Sequence, residues 1–171
     1  MKRPALSLQA RALGWLAQRE QSRSELRRKL LRAARQAQAD IAAGAAPAGD
    51  AIAEQVERLL DALQAQGLLS DERFIESRVR LRAAGLGTRR IQMELARHGL
   101  KLPAQPLQQL RDSECERAAQ LWQRKFGAAA LDARERARQM RFLAGRGFSG
   151  EVIRRVLADA PTAHDDEPQP G

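Results

Sequence analysis

The stretch Leu143-Ala144-Gly145-Arg146-Gly147-Phe148-Ser149 decides how this chain is read. A glycine that follows a leucine at this spacing, with an apolar residue directly after it, is a helix stop. The glycine adopts the left-handed conformation without a Cβ clash, and the apolar residue packs back on the leucine. The pattern occurs twice more, in Leu63 to Gly67-Leu68 and in Leu95 to Gly99-Leu100. A single copy carries little weight. Three copies, each followed within a few residues by a helix start, point to divergent helix–turn–helix repeats joined by short connections.

The surrounding composition agrees. Tyr is absent and aromatic residues make up 4% of the 171 residues, so apolar volume comes from Leu, Ala, Ile and Val. No segment alternates β-branched or aromatic residues with polar ones, as strands do. The best helix formers, Ala, Leu, Arg, Gln and Glu, dominate. The expected fold is all-α: three tandem divergent three-helix repeats forming an elongated curved array. The first repeat is expected over residues 5–66 with a flexible insertion at 36–50, the second over 67–112, the third over 113–158, and a disordered acidic tail over 159–171.

Apolar spacing places nine helices. The first, about 5–19, faces inward with Leu8, Ala12, Trp15 and Leu16. The second starts at Ser22, where Ser22 and Glu25 fit a capping box, and carries Leu26 and Leu30. A third, 51–66, buries Ile52, Val56, Leu59, Leu60 and Leu63. A fourth, 71–84, carries Phe74, Val79 and Leu81. A fifth, 88–98, carries Ile91 and Leu95, with Thr88 available as its cap. Pro103 opens a sixth as its first residue. The seventh, 113–126, shows Cys115, Ala118, Ala119, Trp122 and Phe126. The eighth, 132–145, shows Ala133, Ala137, Met140 and Ala144. The ninth, 149–158, shows Val152, Ile153, Val156 and Leu157. Trp15, Trp122, Phe74 and Phe148 read as core residues, not as stacking platforms.

Catalytic constellations are not found in the sequence. Of the two histidines, His164 lies in the tail and His98 precedes a stop glycine, where the helix dipole favours it. Gly85-Leu86-Gly87-Thr88 lacks both the third glycine and the preceding strand of a dinucleotide fingerprint. No Walker A run or nucleophile elbow occurs. Cys115, the one cysteine, sits on an apolar stripe and forms neither a disulfide framework nor a thiolate metal site within the chain. The expectation is a cytoplasmic protein, not an enzyme, with no cofactor and no metal.

Charge suggests partners. The net charge of +9 is unevenly spread. Residues 1–35 carry ten basic and two acidic side chains, net +8; residues 36–72 one and seven, net −6; residues 73–111 nine and two, net +7. Helical spacing aligns Arg28, Arg32 and Arg35 on the second helix. Arg73 and Arg80 share one face of the fourth, Arg78 and Arg82 another. Arg90 and Arg97 align on the fifth, and Arg134, Arg138 and Arg141 on the eighth. Guanidinium forks match phosphates and carboxylates in a bidentate way, so these stripes are the candidate binding faces, the middle repeat first among them. The plain alternative is a solvated basic surface. Glu25, Asp71 and Glu94 read as caps and i,i+4 partners.

Several ordered motifs resemble the RecX family. Ala12-Leu13-x-x-Leu16-x-x-Arg19-x-x-Ser22-x-x-Glu25-Leu26-x-x-Lys29-Leu30 is similar to its first-repeat signature. Gly67-Leu68-Leu69-Ser70-Asp71-x-x-Phe74 is similar to the start of the second, continued by Gly85-x-Gly87-x-x-Arg90-Ile91-x-x-Glu94-Leu95-x-x-x-Gly99-Leu100. Phe142-Leu143-x-x-Arg146-Gly147-Phe148-Ser149-x-x-x-Ile153-x-x-Val156-Leu157 is similar to the end of the third. Two departures stand out: Leu31 runs into the 36–50 insertion where the family commonly has a glycine turn, and Thr88 stands where a proline often does. The resemblance implies a protein that binds the RecA recombinase and its filament on single-stranded DNA and restrains it in DNA repair and recombination. The competing function is sequence-independent DNA binding without RecA, through the same basic faces. A small hydrolase or nuclease is the third reading, disfavoured by the missing catalytic groups.

Overall fold

Ala-, Leu-, Arg- and Gln-rich segments with apolar residues every third or fourth position fold as helices throughout. A computed structural model describes residues 6–41 and 49–161. The centre of the expected insertion, His164 and most of the acidic tail lie outside the described residues. Among the described residues there are nine helices and no strand: α1 Leu8–Gln18, α2 Arg23–Ile41, α3 Gly49–Ala65, α4 Asp71–Arg82, α5 Thr88–Ala96, α6 Ala104–Asp112, α7 Glu114–Lys125, α8 Ala133–Gly145 and α9 Gly150–Ala158. The chain divides into two compact units, Met1–Ser77 and Arg78–Gly171, and the division falls within α4.

In the first unit, α1, α2 and α3 close on Ala12, Leu26, Leu30, Ile52, Val56, Leu60 and Leu63, joined by Leu69. The α1–α2 turn is fixed by Gln21, which is 1% exposed. Its side-chain amide donates to the Trp15 carbonyl at 3.1 Å, and its oxygen accepts from Lys29 Nζ at 2.8 Å. Ser22 Oγ accepts the Glu25 N–H, as half of a capping box does. Helix α2 runs through Ile41 and α3 begins at Gly49, so residues 36–41 and 49–50 of the expected insertion are helical. Gln and Ala are strong helix formers and continue the turn started by Leu30.

In the second unit, α7, α8 and α9 surround Ala118, Trp122, Leu143, Phe148, Ile153 and Val156, with Cys115 and Phe126 packed at the margin. Helix α8 buries Gln139 and Leu143 and leaves Ala133, Met140 and Ala144 exposed, which corrects the expected inner face. Gln139 is a polar residue in a core position because Trp122 Nε1 donates to its oxygen at 2.9 Å and its amide donates to the Ala128 carbonyl. Leu81, expected inside, is 72% exposed on the last turn of α4.

The three stop glycines take positive φ: +69° at Gly67, +73° at Gly99 and +87° at Gly147. Each closes two bonds. Leu68, Leu100 and Phe148 donate back to Leu63, Leu95 and Leu143, while the glycines donate to Gln64, Ala96 and Ala144. Gly99 and Gly147 end α5 and α8, the second helices of their repeats, whereas Gly67 ends α3, a third helix. The unequal spacing in sequence has this origin.

The turn before α5 is gripped from α7. Arg117 donates to the carbonyls of Ala83 and Leu86 at 2.7 Å each, and to Leu110 at 2.8 Å. Gly87 N–H donates to the Arg146 carbonyl at 2.9 Å. Two expectations about helix starts are corrected here. Thr88 is buried as the first residue of α5, with Gly87 in the cap position; its hydroxyl donates to Leu110 and Glu114 supplies the capping carboxylate. Pro103 occupies the cap position before α6, with extended ψ of 157°, and does not sit within the helix.

Candidate functional site

On α2 the arginines separate by face. Arg23 and Arg27 turn onto α3, where Arg23 pairs with Glu57 and Asp61 at 2.7 Å each and Arg27 pairs with Glu57. These guanidiniums pull the Glu57 carboxyl below its ordinary pKa, against a smaller opposing effect of burial. Glu25 is likewise lowered: burial pushes it up, but bonds from Arg19 and Lys29 outweigh that. With those pairs formed, Arg28, Arg32 and Arg35 stand exposed, and no ion pair is made by them among the described residues. The structure thus brings these three candidates together on one open face.

The middle-repeat candidates are more divided. Arg73 donates to Glu20 and to the Gly67 carbonyl, both at 2.9 Å, and so clamps the α3–α4 turn. Arg80 is exposed. Arg90 is half-buried, its backbone against Gly147, while Arg97 is exposed beside Glu94, which pairs with Arg82 at 3.3 Å. On α8, Arg134, Arg138 and Arg141 are all exposed, and Arg138 also lies 5.5 Å over the Phe126 ring.

Burial sets a common register for the second helices. Leu26 and Leu30 of α2, Ile91 and Leu95 of α5, and Gln139 and Leu143 of α8 occupy matching inward positions. Two residues after the first of each pair come Arg28, Met93 and Arg141; two after the second come Arg32, Arg97 and Gly145. All six are exposed. Candidates scattered in sequence therefore occupy equivalent outward positions of a repeated helix. Sequence reading missed Arg89 and Met93 on this face of α5; the signal was their distance from Ile91 and Leu95. It also missed Arg117, whose guanidinium is lowered in pKa by burial, partly offset by Glu114. That group serves the fold, not an open site.

Phe74, Trp122 and Phe148 are buried and Trp15 partly so, leaving the basic faces without an aromatic platform from these residues. Among the described residues no group of three His, Cys, Asp or Glu side chains is placed to hold a metal ion. No helix among them is long and apolar enough to cross a membrane. The arrangement offers outward guanidinium forks on a repeated helical scaffold, suited to binding anionic groups.

Such an architecture defines a helical-repeat protein built from three-helix domains. Profiles described as the RecX second and third three-helix domains match residues 70–101 and 112–157. The chain is 46% identical to the regulatory protein RecX of Leptothrix cholodnii, with 96% of each chain covered. It is 42% identical to the regulatory protein RecX of Ralstonia nicotianae, over 99% of this chain and 98% of that one. Its fold is similar to the crystal structure of RecX from Lactobacillus salivarius, with a TM-score of 0.60 at 17% identity, over 88% of this chain and 92% of that one. The chain belongs to the RecX family of regulatory proteins.

Proposed function

We propose that this protein binds the RecA recombinase assembled on single-stranded DNA and restrains its activity. The observation that carries this reading is similarity to regulatory proteins named RecX along almost the whole chain, a resemblance that implies action on RecA. The exposed arginines at matching positions of the second helices support it, because a filament of protein and DNA presents carboxylates and phosphates along its length. Arg28, Arg32, Arg80, Arg97 and Arg141 are the foremost contact candidates, followed by Arg35, Arg134 and Arg138. Arg73 contributes less, because Glu20 and the Gly67 carbonyl engage its guanidinium; Arg90 is half-buried and is less open than the others. Co-sedimentation of this protein with RecA filaments formed on a single-stranded oligonucleotide tests the reading. Retention with filaments well beyond retention on the bare oligonucleotide is the expected result. Equal retention on both would favour a phosphate clamp acting without RecA, and retention on neither would remove both readings.

A further inference from the structure

Two glycines of the second unit have no role in its packing. Gly145 ends α8 and Gly150 opens α9. A Cβ on either meets nothing within 4 Å, and neither is among the glycines with positive φ. Neither position needs a positive φ or the lack of a Cβ, so the fold alone accepts a side chain at both. Gly147 between them is the opposite case, since its Cβ would lie 2.5 Å from Arg90 Cβ.

These three glycines form one wall of a groove of about 430 Å³, and Arg89, Arg90 and Met93 of α5 form the other. Neither arginine has a carboxylate partner among the described residues, whereas nearby Arg82 pairs with Glu94, and Arg117 and Arg146 donate to backbone carbonyls. Met93 is 53% exposed. A flexible, polarisable thioether at the rim adapts to varied apolar side chains. Missing side chains on one wall leave room for a backbone to approach closely, and two unneutralised guanidiniums on the other call for an anion.

We infer that this groove seats an extended acidic segment of a protein partner, with a carboxylate held by Arg89 or Arg90 and a neighbouring apolar side chain lying on Met93. The inference rests on the reading above for the identity of that partner, a RecA filament. Nucleic acid fits the groove less well. Phe148, at its base, is 3% exposed, so no aromatic face is offered to a base.

Gly145→Trp and Gly150→Trp place a bulky side chain on the groove wall at positions where a Cβ meets nothing within 4 Å, and Arg89→Glu reverses the charge of an exposed residue. Gly14→Trp on α1, where a Cβ also meets nothing within 4 Å, is the control. Each protein is checked for wild-type helicity, then titrated against preassembled RecA–DNA filaments and against free fluorescent single-stranded DNA. The three groove variants are expected to bind filaments at least about tenfold more weakly, as expected for loss of an anchoring contact. Their affinity for free DNA and the behaviour of Gly14→Trp stay at wild type. Filament binding retained in all three groove variants would overturn the inference. Loss of free-DNA affinity by the same factor would overturn it in favour of phosphate. If the wild-type chain does not bind filaments, the RecA reading itself fails, and the partner assigned here fails with it.

Discussion

The carboxylate of Glu114, the first residue of α7, accepts the backbone N–H of Thr88, the first residue of α5, at 2.7 Å. The relationship is repeated. Asp71, the first residue of α4, accepts the N–H of Arg23, the first residue of α2, at 2.8 Å. In each case the second helix of one repeat is capped by a carboxylate from the helix that opens the next. Helix α8, the second helix of the last repeat, is capped from its own sequence: Asp132 accepts the Glu135 N–H and Glu135 accepts the Leu131 N–H. Alanine at Glu114 leaves a buried amide without its acceptor and is expected to reduce stability by about 2 kcal/mol. Alanine at Asp71 or Asp132 is expected to cost about 1 kcal/mol, the usual loss for a helix cap. Urea unfolding followed by circular dichroism measures all three. Equal, negligible effects would show that the capping relationship contributes nothing.

The glycines fall into two classes that alanine substitution separates. Gly67 and Gly99 have open space around an added Cβ but positive φ, so alanine is expected to cost about 1 kcal/mol. Gly147 combines positive φ with a Cβ 2.7 Å from Arg90 N. At Gly87 a Cβ would fall on the Gly147 carbonyl and the Phe148 amide. Alanine at Gly87 or Gly147 forces backbone apart and is expected to cost roughly 3 kcal/mol or more. Melting temperatures of the four variants should therefore split into a mild pair and a severe pair.

Helix positions and turns were legible in the sequence because they depend on nearest neighbours. A glycine stop needs only the leucine before it and the apolar residue after it, and Gly67, Gly99 and Gly147 all behaved so. Features set by distant residues were not legible. Apolarity selected Ala133, Met140 and Ala144 as the inner face of α8, because nothing local reveals that Trp122 will satisfy a buried Gln139. Thr88 has the chemistry of a cap, but Glu114 arrives from another helix and takes that role. Arg73 looked like Arg80 in the sequence, and only the fold shows that Glu20 and the Gly67 carbonyl hold it. The outward stripe on α2 was readable since Leu26 and Leu30 fix its register, whereas the groove beside Arg89 joins segments that are remote in sequence.

Acid should weaken the first unit through Glu25 and Glu57. Both carboxyls are held below their ordinary pKa in the folded chain. A group whose folded pKa is depressed contributes stability that is fully present above its unfolded pKa and is lost as pH falls through its folded value. Stability is thus expected to be level above the ordinary carboxylate range and to fall below it. In Glu25→Gln the drop between neutral pH and pH 3 should be smaller, and in the doubly substituted Glu25→Gln, Glu57→Gln chain smaller still. Denaturant midpoints across that range test the sign.

Alanine at Arg28, Arg32 and Arg35 leaves the ion pairs of Arg23 and Arg27 intact, so its effect reports on binding and not on folding. If this face grips phosphates, free-DNA affinity should weaken and the slope of log affinity against log salt should shrink by about 2–3, roughly one per lost contact. On the RecA reading, restraint of the recombinase falls even under salt conditions where free-DNA binding is already weak. Parallel titrations against filament and bare DNA at two salt concentrations distinguish these outcomes.

The central claim is most directly tested by the rate of ATP hydrolysis by RecA on single-stranded DNA, measured while this protein is titrated to saturation. The account predicts a progressive fall in rate with the wild-type chain, and a weaker fall with Arg28, Arg32 and Arg35 replaced by alanine. A rate that stays unchanged at saturating wild-type protein would contradict it.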